Sequence, residues 1–323
     1  MATKEHLLSK LKASKGKWLS GEALSRDLEV SRCAIWKQVA ALKKQGYLIQ
    51  SAPKKGYRLR EVSTKLLPEE IREGLENKVF GKKEIIHLEE CDSTNRIGKE
   101  LANKGASEGV LIVAEKQTQG RGRLGREWFS PPGEGIYVTM VLRPALPPSE
   151  APKITLLTGV ALAESLRASA GVHAKIKWPN DILLGKKKLA GILTELSAEV
   201  DAVNYVLIGV GVNVNTRSFP PELEETATSL LIETGESFSR VSLVKDFLGR
   251  FEGYYFESQD RGFEEVLQRW NKMSDTLGKQ VRVVSGGTTY AGEALGVDKG
   301  GALLLKKKKG ELIRLVSGDV ALN

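Results

Sequence analysis

The sequence has few of the residues that build metal and redox centres. Its 323 residues include 2 cysteines, Cys33 and Cys91, and 3 histidines, His6, His87 and His173, all scattered. No metal-ligand or Cys-x-x-Cys spacing occurs, which argues against a zinc site and a dithiol centre. Isolated thiols fit a reducing cytosol. Long apolar runs are also lacking: none approaches the roughly 18 residues that a bilayer span requires. The N-terminus leads into a short amphipathic pattern rather than the apolar stretch of a signal peptide. A cytoplasmic chain with no membrane partner is therefore expected. No Ser–His or Cys–His arrangement suggests a nucleophilic enzyme. With 41% hydrophobic and 28% charged residues, the chain is ordinary globular protein of two or three domains.

Positive charge is present but localised. The net charge is +9, and residues 1–62 carry all of it, with 14 Lys and Arg against 5 Asp and Glu. The other residues balance at 35 of each sign. A basic module on a neutral body points to a polyanionic partner for that module.

The periodicity of this module predicts three short helices and a hairpin. Leu7, Leu8 and Leu11 share one side of a helix over residues 5–13. Ser20 caps a second helix from Gly21 to Leu28, and Ser31 caps a third that runs to about Gln45 and stops at Gly46. Ile35, Val39 and Leu42 form the inner face of the third helix. Arg32, Trp36, Lys37, Lys43 and Lys44 form its outer face. Tyr47-Leu48-Ile49-Gln50 and Tyr57-Arg58-Leu59-Arg60 read as strands joined by Pro53-Lys54-Lys55-Gly56. Helix, turn, helix and basic hairpin make a winged helix-turn-helix whose third helix enters the major groove. The candidate DNA contacts are Ser31, Arg32, Trp36, Lys37, Lys54 and Lys55, with the last two touching phosphate.

Residues 61–80 read as a linker with a helix from Pro68 to Leu75. Beyond it lies a mixed α/β region. Val110–Val113, Ile136–Leu142 and Tyr205–Gly209 are expected as buried strands, residues 152–170 as a helix, and 241–270 as mainly helical. Four short strands follow, at 279–284, 288–297, 301–306 and 311–316. The fold class is α+β, in three domains: 1–62, 63–272 and 273–323.

Gly120-Arg121-Gly122-Arg123-Leu124-Gly125 matches the dinucleotide-binding pattern G-x-G-x-x-G, but that reading fails. The Ser130-Pro131-Pro132-Gly133 stretch that follows cannot open a helix, and no acidic residue closes the next strand. What remains is a glycine loop bearing Arg121, Arg123 and Arg126, suited to holding anions that repel each other. Three further patterns accompany it. Lys177-Trp178-Pro179-Asn180-Asp181 precedes Lys188-Leu189-Ala190-Gly191. Ile208-Gly209-Val210-Gly211-Val212-Asn213 is a strand whose glycines mark a close approach. Asp92-Ser93-Thr94-Asn95 reads, taken alone, as a helix cap.

Together GRGRLG, KWPND, KLAG and IGVGVN resemble the biotin–protein ligases in order and spacing. With the basic N-terminal module, the whole chain resembles the bifunctional biotin ligases that also repress the biotin operon. The resemblance implies a class II synthetase-like ligase domain followed by a small SH3-like β-barrel. It implies activation of biotin by ATP and Mg2+ to biotinyl-5′-AMP, then transfer to a lysine of a biotin carboxyl carrier protein. It also implies that the adenylate acts as corepressor, favouring a homodimer that binds operator DNA.

By the same resemblance, Ser93, Thr94, Asn95, Gln117, Gly120, Arg121, Arg123, Lys188, Gly191 and Gly209 are candidate biotin contacts. Arg123, Arg126, Trp128, Asn180 and Asn213 are candidate adenylate contacts, with Trp128 over the adenine. Arg121, Lys188 and Asp181 are the candidate catalytic groups, and Asp181 the candidate magnesium ligand. The chemistry agrees, since carboxylate attack on an α-phosphate brings like charges together and needs positioned cations. Residues 120–128 and 215–228 are expected to order over the adenylate. Three rivals stand beside this reading: a lipoate ligase, a ligand-sensing repressor with an inert ligase site, and a ligase whose N-terminal module no longer binds DNA.

Overall fold

Short amphipathic helices need tertiary partners to persist, and the first three helices supply them to one another. In the structure, a computed structural model that describes residues 2–322, α1 is Ala2–Ala13, α2 Gly21–Asp27 and α3 Arg32–Lys44. Leu7, Leu11, Ile35 and Leu42 are fully buried between them, with Leu24 and Val39 beside them. Ser20 accepts from the Glu22 N–H and Ser31 from the Ala34 N–H, so both expected caps form. Strands β1 (Leu48–Ala52) and β2 (Gly56–Glu61) pair antiparallel. Gly56 has φ +94°, and a Cβ there would stand 2.0 Å from the Leu19 carbonyl. That close approach lets Leu19 bridge Tyr57 at the edge of the hairpin.

The chain divides into two compact units, residues 1–73 and 74–323. The division falls beyond the 62/63 boundary expected from the sequence: Leu67 packs into the core of the first unit, and polar contacts tie down the helix that follows. Helix α4 (Pro68–Arg72) carries Glu70, which is buried. The Tyr47 hydroxyl donates to Glu70, and Lys12 donates to Glu70 and to Glu73 at 2.6 Å each. Burial works to lower the Lys12 pKa, but hydrogen bonds to the two glutamates outweigh it and raise the value. Residues 63–73 thus belong to the winged-helix unit and are not a linker.

The second unit is built on a seven-stranded sheet. Its elements, in chain order, are β3 (Ile85–Leu88), α5 (Thr94–Asn103), β4 (Leu111–Ala114), β5 (Gly135–Leu142), α6 (Ala151–Ala170), β6 (Lys175–Lys177), β7 (Asp181–Leu184), β8 (Lys187–Ala198) and β9 (Val203–Asn213). The strand order is β3-β4-β5-β9-β8-β7-β6, parallel only between β3 and β4. Side chains alternate across a sheet, so each face has its own cover. Gly98 of α5 packs against Thr139 and Leu207, and Gly159 of α6 packs against Ile176 and Ile192 on the opposite face.

Helices α7 (Leu230–Thr234), α8 (Arg240–Arg261) and α9 (Glu264–Met273) follow. The helical stretch expected at 241–270 is broken at Gly262, where φ is +83°. The chain ends in a five-stranded antiparallel sheet, ordered β13-β12-β11-β10-β14. Its strands are β10 (Gln280–Ser285), β11 (Thr288–Val297), β12 (Leu303–Lys306), β13 (Leu312–Leu315) and β14 (Asp319–Leu322). Four were legible in the sequence, and β14 was not. No helix among the described residues is long and apolar enough to cross a membrane.

Candidate functional site

The four patterns of the ligase region meet around one cavity of about 910 Å³ in the second unit. Its wall includes Ser93, Thr94, Asn95, Gln117, Arg121, Arg123, Arg126, Trp128, Asn180, Asp181, Lys188, Gly191, Gly209 and Asn213. Of the ligase-site residues expected from the sequence, only Gly120 is not among the lining residues. It acts from behind: a Cβ at Gly120 would stand 2.4 Å from the Trp128 carbonyl, so the loop closes only on glycine.

The glycine loop is a tight turn rather than open coil. Arg121 bridges Glu127, and Arg123–Gly125 forms a single 3-10 turn with Leu124 at φ 56°. Its arginines are held differently. Arg121 is exposed on the cavity wall. Arg123 donates to the Asn180 side chain at 2.9 Å and to the Gly318 carbonyl at 3.2 Å. Arg126 pairs with Asp319. The last two contacts come from β14 and its approach, which sequence reading assigned no role.

Two of the three catalytic candidates form a pair. Lys188 Nζ lies 2.7 Å from Asp181 Oδ1 across the β7–β8 hairpin. The Lys188 backbone is tied on both sides to the segment before α7: its N–H donates to Thr226 O at 2.7 Å, and its carbonyl accepts from Thr228 N at 3.0 Å. This segment belongs to the 215–228 stretch expected to cover the site. Asn213 donates to the Thr228 carbonyl. Asn180 is spent on structure at both ends of its amide, donating to the Ile192 carbonyl while accepting from Arg123.

The glycines of β8 and β9 make room for protein side chains. Gly191 and Gly211 are paired in register. A Cβ on Gly191 would stand 3.0 Å from the Trp128 ring, and one on Gly211 2.5 Å from it. The indole lies across this glycine floor, with Lys188 Nζ 5.3 Å from the ring centroid, a cation–π distance. Gly209 likewise makes space for Asn95, whose Oδ1 would be 2.1 Å from a Cβ there. Both Gly191 and Gly209, the candidate biotin contacts on these strands, remain on the cavity wall beside these side chains.

Ser93 does not cap α5 with its side chain, the bland reading of that position. Ser93, Thr94 and Asn95 are instead buried against the sheet. Thr94 donates from its N–H and hydroxyl to Gln117 Oε1 at 2.9 and 3.1 Å. Gln117 Nε2 donates to Ser130, and Ser130 to the Trp128 carbonyl. Burial, with Asp92 and Glu90, pushes the nearby Cys91 thiol up to about 11. Cys91 is thus a thiol at neutral pH and no nucleophile. Among the described residues, no group of three His, Cys, Asp or Glu could hold a metal. Asp181, the candidate magnesium ligand, is paired with Lys188.

In the first unit, Arg32, Trp36, Lys37, Lys54 and Lys55 are all exposed, and Trp36 is 61% exposed. Arg32, Cys33 and Lys54 line one concavity between the third helix and the hairpin. Ser31 is committed to its cap.

A mixed sheet with a cationic cavity, joined to a winged helix, defines a ligase-type enzyme with a nucleic-acid-binding unit. The profile of the biotin/lipoate A/B protein ligase family matches residues 88–213. An HTH domain profile matches residues 3–58, and the biotin protein ligase C terminal domain matches 276–322. The chain is 41% identical to the bifunctional ligase/repressor BirA of Bacillus subtilis, covering 94% of each chain. It is 32% identical to the BirA of Escherichia coli, covering 95% of this chain and 94% of that one. A biotin protein ligase from Aquifex aeolicus, solved with biotin and ATP, superposes with TM-score 0.65 at 30% identity, covering 75% of this chain and 99% of that one. The chain belongs to the biotin/lipoate A/B protein ligase family, in its bifunctional ligase/repressor form.

Proposed function

We propose that the cavity joins biotin to ATP, forming biotinyl-5′-AMP and releasing pyrophosphate, and that the acyl group then passes to a lysine of a biotin carboxyl carrier protein. The observation that carries this reading is the placement of Lys188, Arg121 and Arg123 on one cavity beside the polar wall of Thr94, Asn95 and Gln117. The polar wall suits the ureido ring, and the cations suit the far end of the molecule. When the biotin carboxylate attacks the α-phosphate, two anions approach, and charges already oriented by the protein stabilise that arrangement at little reorganisation cost. Asp181 pairs with the Lys188 ammonium and aims it across the hairpin. Asn180 aims Arg123. Trp128 and Asn213 take the adenine end, and Mg2+ enters with the nucleotide as part of the substrate.

The test is pyrophosphate exchange into ATP. Exchange that needs biotin, ignores lipoate and falls in Lys188→Ala supports the reading. Exchange with lipoate alone makes the protein a ligase for another acid, and no exchange with either leaves a ligand-sensing repressor.

The first unit extends the proposal to operator DNA. Its support is the charge of residues 1–62 and the exposed Arg32, Trp36, Lys37, Lys54 and Lys55. Biotinyl-5′-AMP would serve as corepressor by favouring a homodimer, since a ligand stabilises the state it binds more tightly. Sedimentation with and without the adenylate tests this; a chain that stays monomeric in both rejects it. The cytoplasm is the compartment that such a regulator requires.

A further inference from the structure

Two polar residues outside the cavity set which way its hydrogen bonds point. Thr139, wholly buried in the middle of β5, interrupts an apolar strand. Glu195 lies on β8. Neither lines the cavity, yet both hold Asn95, which does. Thr139 Oγ1 lies 2.6 Å from Asn95 Oδ1 and 2.9 Å from Thr94 Oγ1. Asn95 Nδ2 lies 2.7 Å from Glu195 Oε2 and 3.4 Å from the Leu193 carbonyl.

The chemistry of these partners leaves one orientation. Glu195 Oε2 and the Leu193 carbonyl both accept here, so Asn95 turns its NH2 towards them. Its oxygen then faces Thr139, whose single hydroxyl proton goes to it at the shorter of the two distances. With that proton spent on Asn95 and the Thr94 hydroxyl proton directed to Gln117, the 2.9 Å approach of the two hydroxyls carries no proton between them. At the far end, Ser130 donates to the Trp128 carbonyl and so accepts from the Gln117 NH2. The Gln117 oxygen therefore faces Thr94, where two donors meet it. The Trp128 carbonyl thus sets the sense of Gln117 and Thr94 through Ser130, and Glu195 separately sets the sense of Asn95 and Thr139.

We infer that Glu195, acting through Asn95 and Thr139, is a specificity-determining positioning residue that locks the hydrogen-bond polarity of the acid-binding pocket to suit a cyclic urea. The inference rests on the biotin reading of this pocket. A urea presents one acceptor oxygen flanked by two N–H donors, and a wall of fixed sense matches it in one orientation only. The substitution Glu195→Gln keeps the shape of the side chain but lets it present an NH2 to Asn95. The Asn95 amide is then free to turn over, and Thr139 reverses with it. A site built to pair polar groups discriminates strongly because a mismatch leaves buried groups unpaired.

The experiment compares Glu195→Gln, Thr139→Val and Thr139→Ser with the parent chain by pyrophosphate exchange. The probes are biotin, desthiobiotin, which keeps the urea, and 2-iminobiotin, in which the oxygen becomes a nitrogen donor. The expected result is a biotin KM raised about tenfold in Glu195→Gln and Thr139→Val, with kcat and the KM for ATP changed less than about twofold. Thr139→Ser, which restores the hydroxyl, stays near the parent. The preference for biotin over 2-iminobiotin narrows in both impaired variants, and that over desthiobiotin does not. Unchanged biotin KM and unchanged preference overturn the inference while leaving the ligase reading intact. Parallel losses in kcat, ATP KM and melting temperature also overturn it, because they mark a general structural role. Absence of biotin-dependent exchange in the parent chain instead defeats the reading on which it rests. If Glu195→Gln does not fold, the Thr139 pair decides the matter.

Discussion

The two units carry their candidate functional groups in opposite ways. In the first, Arg32, Trp36, Lys37, Lys54 and Lys55 stand in solvent on one helix and one turn, and the fold beneath them is complete without them. In the second, the functional groups are concave, partly buried and already engaged with one another. Lys188 is paired with Asp181, Arg126 with Asp319, and Asn95 with Glu195. The difference follows from the ligands that each surface suits. A DNA backbone is a broad field of charge that flexible cations meet one by one. An acid and a nucleotide react only when their atoms are held in register, so the groups around them must be fixed beforehand.

The sharpest way to break this contrast is to remove one group from each side. Lys188→Ala should lower kcat/KM for adenylation by roughly 10²- to 10³-fold, the usual cost of one positioned charge donor. It should leave DNA binding without adenylate unchanged. A loss below about tenfold in pyrophosphate exchange would place the reacting centre elsewhere in the cavity. Glu70→Ala sharpens the contrast from the other side, because it strips a partner from buried groups of the first unit. It should destabilise that unit by about 3 kcal/mol, read as a shifted unfolding midpoint with exchange activity kept. Lys54→Ala should do neither. Its effect is a several-fold loss of DNA affinity and a salt slope shallower by about one. A slope that does not move takes the hairpin out of the interface.

The smallest effect concerns the thiols. Cys33 is exposed, whereas Cys91 is half-buried with its pKa pushed up to about 11. At about pH 8, iodoacetamide should modify Cys33 alone, as mass spectrometry would show. Because the folded form holds the Cys91 proton more tightly than the unfolded chain, this group contributes a loss of folded stability as pH rises from about 9 towards 11. Rapid modification of Cys91 under the same mildly basic conditions would contradict its burial.

Much of the molecule is legible in the order of its residues, for reasons that lie within single segments. The third helix of the first unit can be read from Ser31, the spacing of Ile35, Val39 and Leu42, and Gly46, since capping and amphipathicity act over a few residues. The charge imbalance needs only counting. The glycine loop and KLAG are legible because close approach and anion binding demand particular residue types in fixed local order. Residues whose importance lies in a distant partner stay hidden. Thr139 reads as one more residue in an apolar strand, although a hydroxyl within such a run is a usable signal. Asp319 and Glu195 give none.

The sequence by itself determined the elements, the basic module and the inventory of reactive groups, because helix periods, caps, turns and charge are properties of neighbouring residues. Only the tertiary structure decided which of those groups meet. The order β5-β9-β8 brings Thr139, Gly209 and Glu195 to one face under α5, and the Gly191–Gly211 pair makes the floor for Trp128. Strand order also carries Asp319 to the glycine loop, and the packing of Leu67 with the contacts of Glu70 ties residues up to Glu73 to the first unit. These pairings depend on which strands and helices lie side by side, and the periodicity within any one of them says nothing about its neighbour.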